Sequence, residues 1–231
     1  MSRTAVLEKI RRACQSSSVG ELPGALPEFP AFEDAVAKFR RELEGVRGIY
    51  LDVRQGKGDS LAAVLQVILE ETESTEVYWE NVHTLQKHAI LFALAEGTSS
   101  MEGQLLYSTH PGSKVSPPIS LQTRPYEREN LKSISISVSS AYKGIAETGT
   151  IVHRVGPDTG RLLTALPSTH VVLLSQQDLL MNHADFFESI SPGKVGSAFS
   201  LMTGPSRTAD IEKTLVLGVH GPRQWYVILT D

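Results

Sequence analysis

Val171-Val172-Leu173-Leu174 is apolar at every position, so a strand built from it has to be covered on both faces. Apolar residues alternating with polar ones would mark a strand with one wet face. Four apolar residues in succession instead call for a sheet inside the protein with a further layer on each side.

The preceding sequence supplies such layers. Phe32, Val36, Phe39, Leu43 and Val46 recur at three- and four-residue spacing, which predicts an amphipathic helix ended by Gly45 and Gly48. Ile49 to Val53 then reads as a strand, Asp59 to Glu71 as a helix capped by Asp59, Glu76 to Trp79 as a strand and Val82 to Glu96 as a helix. Strands and helices alternating with short connections predict a mainly parallel sheet with right-handed crossovers. Leu7, Ile10 and Cys14 mark one face of a first helix that ends before Ser16, and Pro23 to Pro30 reads as an ordered linker.

The second half is richer in strands. Ser133 to Ser139 alternates serine with isoleucine and valine, and Thr150 to Val155, Phe199 to Met202 and Trp225 to Leu229 are further strand candidates. Between Tyr107 and Arg128, Pro111, Pro117, Pro118 and Pro125 predict a long surface loop or lid. Tyr78 and Trp79 are expected in the core.

Composition bounds the function. With 231 residues, 41% of them hydrophobic, the chain can bury one substantial core. Its 22 basic and 26 acidic residues give a net charge of -4 with no dense basic cluster, which argues against nucleic acid as a partner. Residues 1–15 carry Arg3, Lys9, Arg11 and Arg12 among the apolar positions, unlike an export signal, and no run of apolar residues is long enough to span a bilayer. A cytoplasmic protein without membrane insertion is expected. Cys14 is the one cysteine, so the chain forms no internal disulfide and no self-contained iron–sulfur cluster; any cluster belongs to a partner.

Two segments combine glycine, hydroxyl and charge at strand ends, where backbone amides can approach a ligand. The first is Ala146-Glu147-Thr148-Gly149-Thr150, in which Glu147 either acts as acid, base, nucleophile or ligand clamp, or satisfies turn amides around Gly149. The second runs from Gly204 through Ser206, Arg207, Thr208 and Asp210 to Glu212 and predicts a turn that starts a short helix. Ser206 and Thr208 are helix-cap types, and Arg207 either binds a carboxylate or phosphate there or pairs with Asp210 or Glu212. Gly56-Lys57-Gly58-Asp59-Ser60 lacks phosphate-loop spacing and reads as a turn and cap. His153, His170 and His220 lack metal-ligand spacing and read as structural; no metal is expected.

The Ala146 to Thr150 run and the long run GPSRTADIEKTLVLGVHGPRQWYVIL from Gly204 to Leu229 resemble the LUD-domain family, in particular its lactate utilization protein C type. Arg161-Leu162-Leu163 and the segment Leu166 to Leu173 look like the same family. The resemblance is strong over residues 130–231; the N-terminal half follows in overall pattern.

The resemblance implies a sugar-isomerase/CoA-transferase-like three-layer α/β sandwich with a mainly parallel sheet and added N-terminal helices, distantly related to 5-formyltetrahydrofolate cyclo-ligase. On this reading residues 1–45 form a helical segment packed on the core, and 46–231 form the LUD domain. It further implies a three-protein system oxidising L-lactate to pyruvate, in which the other two proteins are cysteine-rich and carry the iron–sulfur clusters. The residues it marks are Glu147 as a catalytic candidate and Thr148, Gly149, Gly204, Ser206, Arg207, Thr208, Asp210 and Glu212 as ligand-binding candidates. The leading expectation is an accessory subunit that binds a small anion between Glu147 and the Ser206–Thr208 segment. The alternatives are a CoA-transferase-like or cyclo-ligase-like enzyme using Glu147, and a purely structural docking subunit.

Overall fold

The computed structural model describes residues 3–16, 34–54, 61–72, 74, 76–79, 100–101, 104–107, 119–122, 135–155, 161–190, 198–209, 215–217 and 221–231. The chain divides into two units, Met1–Pro30 and Ala31–Asp231. The first contains helix α1 (Arg3–Ser16), on which Val6, Leu7 and Ile10 are exposed. The expected linker Pro23–Pro30, the Gly56–Ser60 turn with its Asp59 cap, and the Val82–Glu96 helix lie outside the described residues. Among the described residues no helix is long and apolar enough to cross a membrane.

The second unit opens with α2 (Ala35–Gly45), β1 (Ile49–Asp52), α3 (Leu61–Glu71) and β2 (Glu76–Trp79). Three strands follow: β3 (Ser100–Met101), β4 (Gln104–Tyr107) and β5 (Ile119–Gln122). Next come β6 (Ile136–Ser140), the hairpin of β7 (Lys143–Ile145) and β8 (Thr150–Val155), α4 (Arg161–Ala165) and β9 (Thr169–Ser175). A 3-10 turn over Gln176–Asp178 leads to β10 (Leu179–Leu180) and α5 (His183–Ser189). The chain ends in β11 (Ala198–Met202), β12 (Arg207–Ala209), β13 (Leu215–Leu217) and β14 (Gln224–Thr230).

Eight strands form one sheet in the order β1-β14-β9-β6-β2-β5-β4-β3. Every pair from β1 to β5 is parallel, and β4 and β3 close the far edge antiparallel. The sheet is therefore mainly parallel, as the alternation of strands and helices predicts. Within the expected loop between Tyr107 and Arg128, Ile119–Gln122 is instead a strand, paired with β2 and β4.

The two faces of the sheet explain the all-apolar run. Val171 and Leu173 point to one face, where Leu65, Ile68 and Leu69 of α3 cover them together with Val77, Trp79, Ile136, Val138, Tyr226 and Ile228. Val172 and Leu174 point to the other, beside Trp225, Val227 and Leu229, under Phe39 and Leu43 of α2 and Ala146 and Ile151 of the β7–β8 hairpin. That hairpin belongs to a second sheet, β10-β7-β8-β11, whose Ile145 and Val152 pack against Phe186 of α5. Full burial of each such side chain contributes roughly 1.5–3 kcal/mol.

Helix α2 is fixed at both ends. Asp34 caps it, accepting from the N–H groups of Val36 and Ala37 at 2.9 and 3.0 Å. At its other end Gly48 N–H returns to the Leu43 carbonyl and Arg47 N–H to that of Glu44, both at 2.9 Å, the hydrogen-bond pair of a Schellman turn. The left-handed position of that turn, φ 68°, is held by Arg47, although Gly45 and Gly48 are the expected helix enders. Gly48 serves packing instead, since a β-carbon there would lie 2.7 Å from Leu43 Cγ.

Candidate functional site

The turn 146–149 between β7 and β8 is anchored by its neighbour. Ala146 N–H donates to the Leu180 carbonyl at 2.8 Å and Glu147 N–H to that of Met181 at 2.9 Å, continuing the parallel pairing of β7 with β10. Two residues beyond Leu180, Asn182 caps α5: its side chain accepts from Asp185 N–H at 2.9 Å, and the Asp185 carboxylate accepts from Asn182 N–H at 3.3 Å. The first helical residue, His183, is thereby set beside Glu147.

Glu147 Oε2 accepts twice from His183, from the ring Nδ1 at 2.9 Å and from the backbone N–H at 3.3 Å. These contacts hold the Glu147 carboxyl below its usual range, the ring hydrogen bond first, against the opposing effect of burial; the charge of Lys38 on α2 adds to the lowering. Both side chains are about one-third exposed. Sequence reasoning does not single out His183, yet Asn182-His183-Ala184-Asp185 is a capping-box pattern that places a histidine at a helix start.

The two marked segments meet through hydroxyl groups. Thr148 Oγ1 and Thr150 Oγ1 lie 2.7 Å apart, and Thr150 Oγ1 and Thr203 Oγ1 also 2.7 Å apart, so a three-threonine chain leads from the hairpin turn to the residue preceding Gly204. The antiparallel register of β11 with β8, Met202 opposite Ile151, produces this meeting.

Both marked glycines allow α2 to approach closely. Gly149 has φ 64°, and a β-carbon on it would lie 2.4 Å from Leu43 N. Gly204 has φ 94°, and its β-carbon would lie 2.8 Å from the Val46 carbonyl oxygen. The expected close approach at these glycines is to a ligand; the one the structure shows is made by a helix of the same chain.

The described residues after Gly204, 205–209, do not start a helix. Arg207-Thr208-Ala209 is β12, antiparallel to β13, with Thr208 opposite Val216. Ser206 and Thr208 are therefore not helix caps, and among the described residues 204–209 no helix start offers its amides to an anion. Ser206 N–H donates to the Pro222 carbonyl at 2.9 Å. The exposed Arg207 guanidinium donates to the Val46 carbonyl at the end of α2, where a cation complements the helix dipole. Asp210 and Glu212 lie outside the described residues. Arg207→Ala is expected to lower the unfolding free energy by about 1 kcal/mol, seen as a lower urea midpoint at unchanged m-value, with Arg207→Lys recovering part of the loss.

Two further polar groups lie elsewhere in the second unit. At the carboxyl end of β1, Arg54 donates to both oxygens of Asp52 at 2.8 and 2.6 Å and to Gln176 Oε1 at 2.7 Å. Burial, with the Asp52 charge, pushes the nearby Tyr50 phenol up to about 12. Between the two sheets, the buried rings of His153 and His170 have centres 5.6 Å apart, and Ser139 Oγ lies 2.8 Å from His170 Nε2. His220 lies outside the described residues. Among the described residues no three His, Cys, Asp or Glu side chains come together as a metal site.

Fold and site together define an α/β protein with a mainly parallel sheet whose second sheet carries a hairpin-borne glutamate paired with a helix-start histidine. The LUD domain family model matches residues 32–230, and the chain belongs to that family. A "Lactate utilization protein C" of Anoxybacillus flavithermus is 39% identical over 88 residues, covering 38% of this chain and 40% of that protein, less than half its length. Another, from Halalkalibacterium halodurans, is 26% identical over 193 residues, covering 79% and 75%. The crystal structure of a DUF162 family protein from Deinococcus radiodurans shares the fold, with a TM-score of 0.51 at 16% identity over 87% of this chain and 100% of that one.

Proposed function

We propose that this chain serves lactate utilization as a cytoplasmic, non-redox subunit that binds a small carboxylate anion where the two marked segments adjoin α2. The observation that carries this reading is the convergence of the segments. The hydroxyl chain Thr148, Thr150 and Thr203 runs from the Glu147 turn to the residue preceding Gly204, and both Gly149 and Gly204 seat against α2. Relatives named "Lactate utilization protein C" support the lactate assignment. Arg207 carries five N–H donors and gives one hydrogen bond to Val46, so its exposed guanidinium has capacity left for a carboxylate.

Oxidation of lactate to pyruvate removes two electrons, and a chain with Cys14 as its one cysteine cannot supply a four-thiolate cluster to take them. The electron path is therefore assigned to cysteine-rich partner proteins that carry iron–sulfur clusters. Calorimetry with L-lactate and with pyruvate tests the anion site. Arg207→Ala is expected to weaken binding of both by about tenfold, the loss of one charge-assisted contact. Unchanged affinity in a variant that remains folded removes Arg207 from the site.

A further inference from the structure

His170 stands two residues before Val172 on β9, so its ring points toward the second sheet, and His153 on β8 meets it there with ring centres 5.6 Å apart. Trp225 lies opposite His170 on β14, and Ser137 lies opposite it on β6. All four side chains are buried. Ser137 and Ser139 of β6 are engaged: Ser137 donates to the Leu163 carbonyl at 2.6 Å, and Ser139 Oγ lies 2.8 Å from His170 Nε2. His153 Nδ1 and Nε2, His170 Nδ1 and Trp225 Nε1 have no hydrogen-bond partner among the described residues. Buried nitrogens in native proteins are satisfied, by ordered water where no protein atom serves.

The chemistry of the rings selects the occupant. A neutral imidazole carries one N–H and one lone pair, so His153 calls for an acceptor at one nitrogen and a donor at the other. His170 calls for one or the other at Nδ1, depending on which of Ser139 and Nε2 donates. A metal ion serves lone pairs only, and an anion serves N–H groups only. Either would also carry an uncompensated charge, because burial and the Ser140 backbone act on His153, burial and His153 act on His170, and no ionised side chain is among these influences. Water donates, accepts and is uncharged. Two hydrogen bonds of about 2.8–3.0 Å at one oxygen join nitrogens roughly 4–6 Å apart, the scale of this ring separation. From this arrangement we infer an internal hydration site between the two sheets, in which a water molecule bonds to a ring nitrogen of His153 and to His170 Nδ1. It ties β8 to β9 through the layer in which Ala146 and Ile151 pack on Val172 and Leu174. One sealed water does not replace the hydration that a protonated imidazole loses, so both rings stay hard to charge. The site holds whether or not a small anion binds beside Arg207.

A high-resolution crystal structure of the full chain is the test, because an ordered internal water is seen directly. In the wild type an electron-density peak is expected within about 3.2 Å of a nitrogen on each ring. In His153→Leu, which keeps bulk between the sheets but offers no polar atom, that peak should be lost. In solution, magnetic cross-relaxation between water and the ring protons of His153 and His170 should reveal a water that tumbles with the protein. The same signal should be missing from His153→Leu, and the wild-type measurement decides the matter even if the variant does not fold. A peak about 2.0 Å from the nitrogens marks a metal ion and overturns the assignment. A wild type with neither peak nor long-lived water, its rings bonded to each other or to backbone, overturns it too. So does a peak that persists in His153→Leu, since that water would belong to His170 alone.

Discussion

Gly149→Ala is expected to destabilise the protein by on the order of 3 kcal/mol, a fall of roughly 10 °C in Tm for a domain of this size. The substitution acts in two ways. The left-handed backbone, φ 64°, costs a residue with a β-carbon about 1 kcal/mol. The added methyl would also stand 2.4 Å from Leu43 N and 2.8 Å from the Glu42 carbonyl carbon, backbone atoms that cannot turn aside as a side chain can. Helix α2 would have to lift, and with it Phe39 and Leu43, both fully buried over Val172, Leu174, Trp225 and Val227. Forcing such a shift in a packed core costs about 1–3 kcal/mol more. Gly45→Ala, on the same helix with nothing within 4 Å of the added carbon, is the control and should be neutral or stabilise by about 0.5 kcal/mol. Thermal unfolding of the two variants side by side checks the argument. A Gly149→Ala protein as stable as the wild type would mean that the turn does not seat the helix.

The contrast between these glycines shows what the sequence reveals and what it hides. A glycine beside charge and hydroxyl at a strand end marks Gly149 and Gly204 as places where backbone approaches a ligand, yet what approaches them in the structure is helix α2, remote in sequence from both. Local pattern cannot name a distant neighbour. Strands β2 and β8 run over the predicted residues, because their apolar content and flanking turns are local signals. By contrast, β5 is hidden among prolines that speak for a loop, and its place depends on pairing with β2. The Ser206–Thr208 segment misleads for a chemical reason: serine and threonine cap helices, but threonine is also β-branched and suits a strand. Three residues are too few for alternation to decide between the two, and β12 is held by its pairing with β13. The pairing of β1 with β14, which joins the first described strand to the last, leaves no periodic trace at all. Glu147 is legible as a candidate from its turn. His183 comes into the site only through the pairing of β10 with β7, which carries the start of α5 alongside the hairpin.

Acid should destabilise this protein earlier than its carboxylates alone would dictate, because two histidines are buried between the sheets. His153 and His170 are both closed off from water, and burial is the leading reason that each ring takes up a proton only with difficulty; proximity to His153 lowers His170 further. His153 is lowered from 6.5 to about 4, with the Ser140 backbone working weakly in the opposite direction, and His170 is held well below 6.5. In the unfolded chain both rings titrate near the ordinary value. As the pH falls through about 6.5 the unfolded state therefore binds protons that the folded state refuses, and stability declines until the folded rings titrate as well. For His153 the interval down to about 4 corresponds to about 3 kcal/mol. Glu42, Asp52 and Glu147, whose carboxyls are lowered by Lys38, Arg54 and His183 respectively, contribute in a different window. Their stabilisation is complete above the ordinary carboxylate values and is lost only as the pH falls below them. The interval from about pH 6.5 to about 4.5 thus belongs mainly to the buried rings. Urea unfolding at a series of pH values should show the midpoint falling across that interval in the wild type. In His153→Leu, which removes the titrating ring and keeps an apolar side chain between the sheets, the fall should be smaller by about 3 kcal/mol over the whole range down to pH 4. A variant that follows the wild-type slope would show that burial of this ring is not what couples stability to pH.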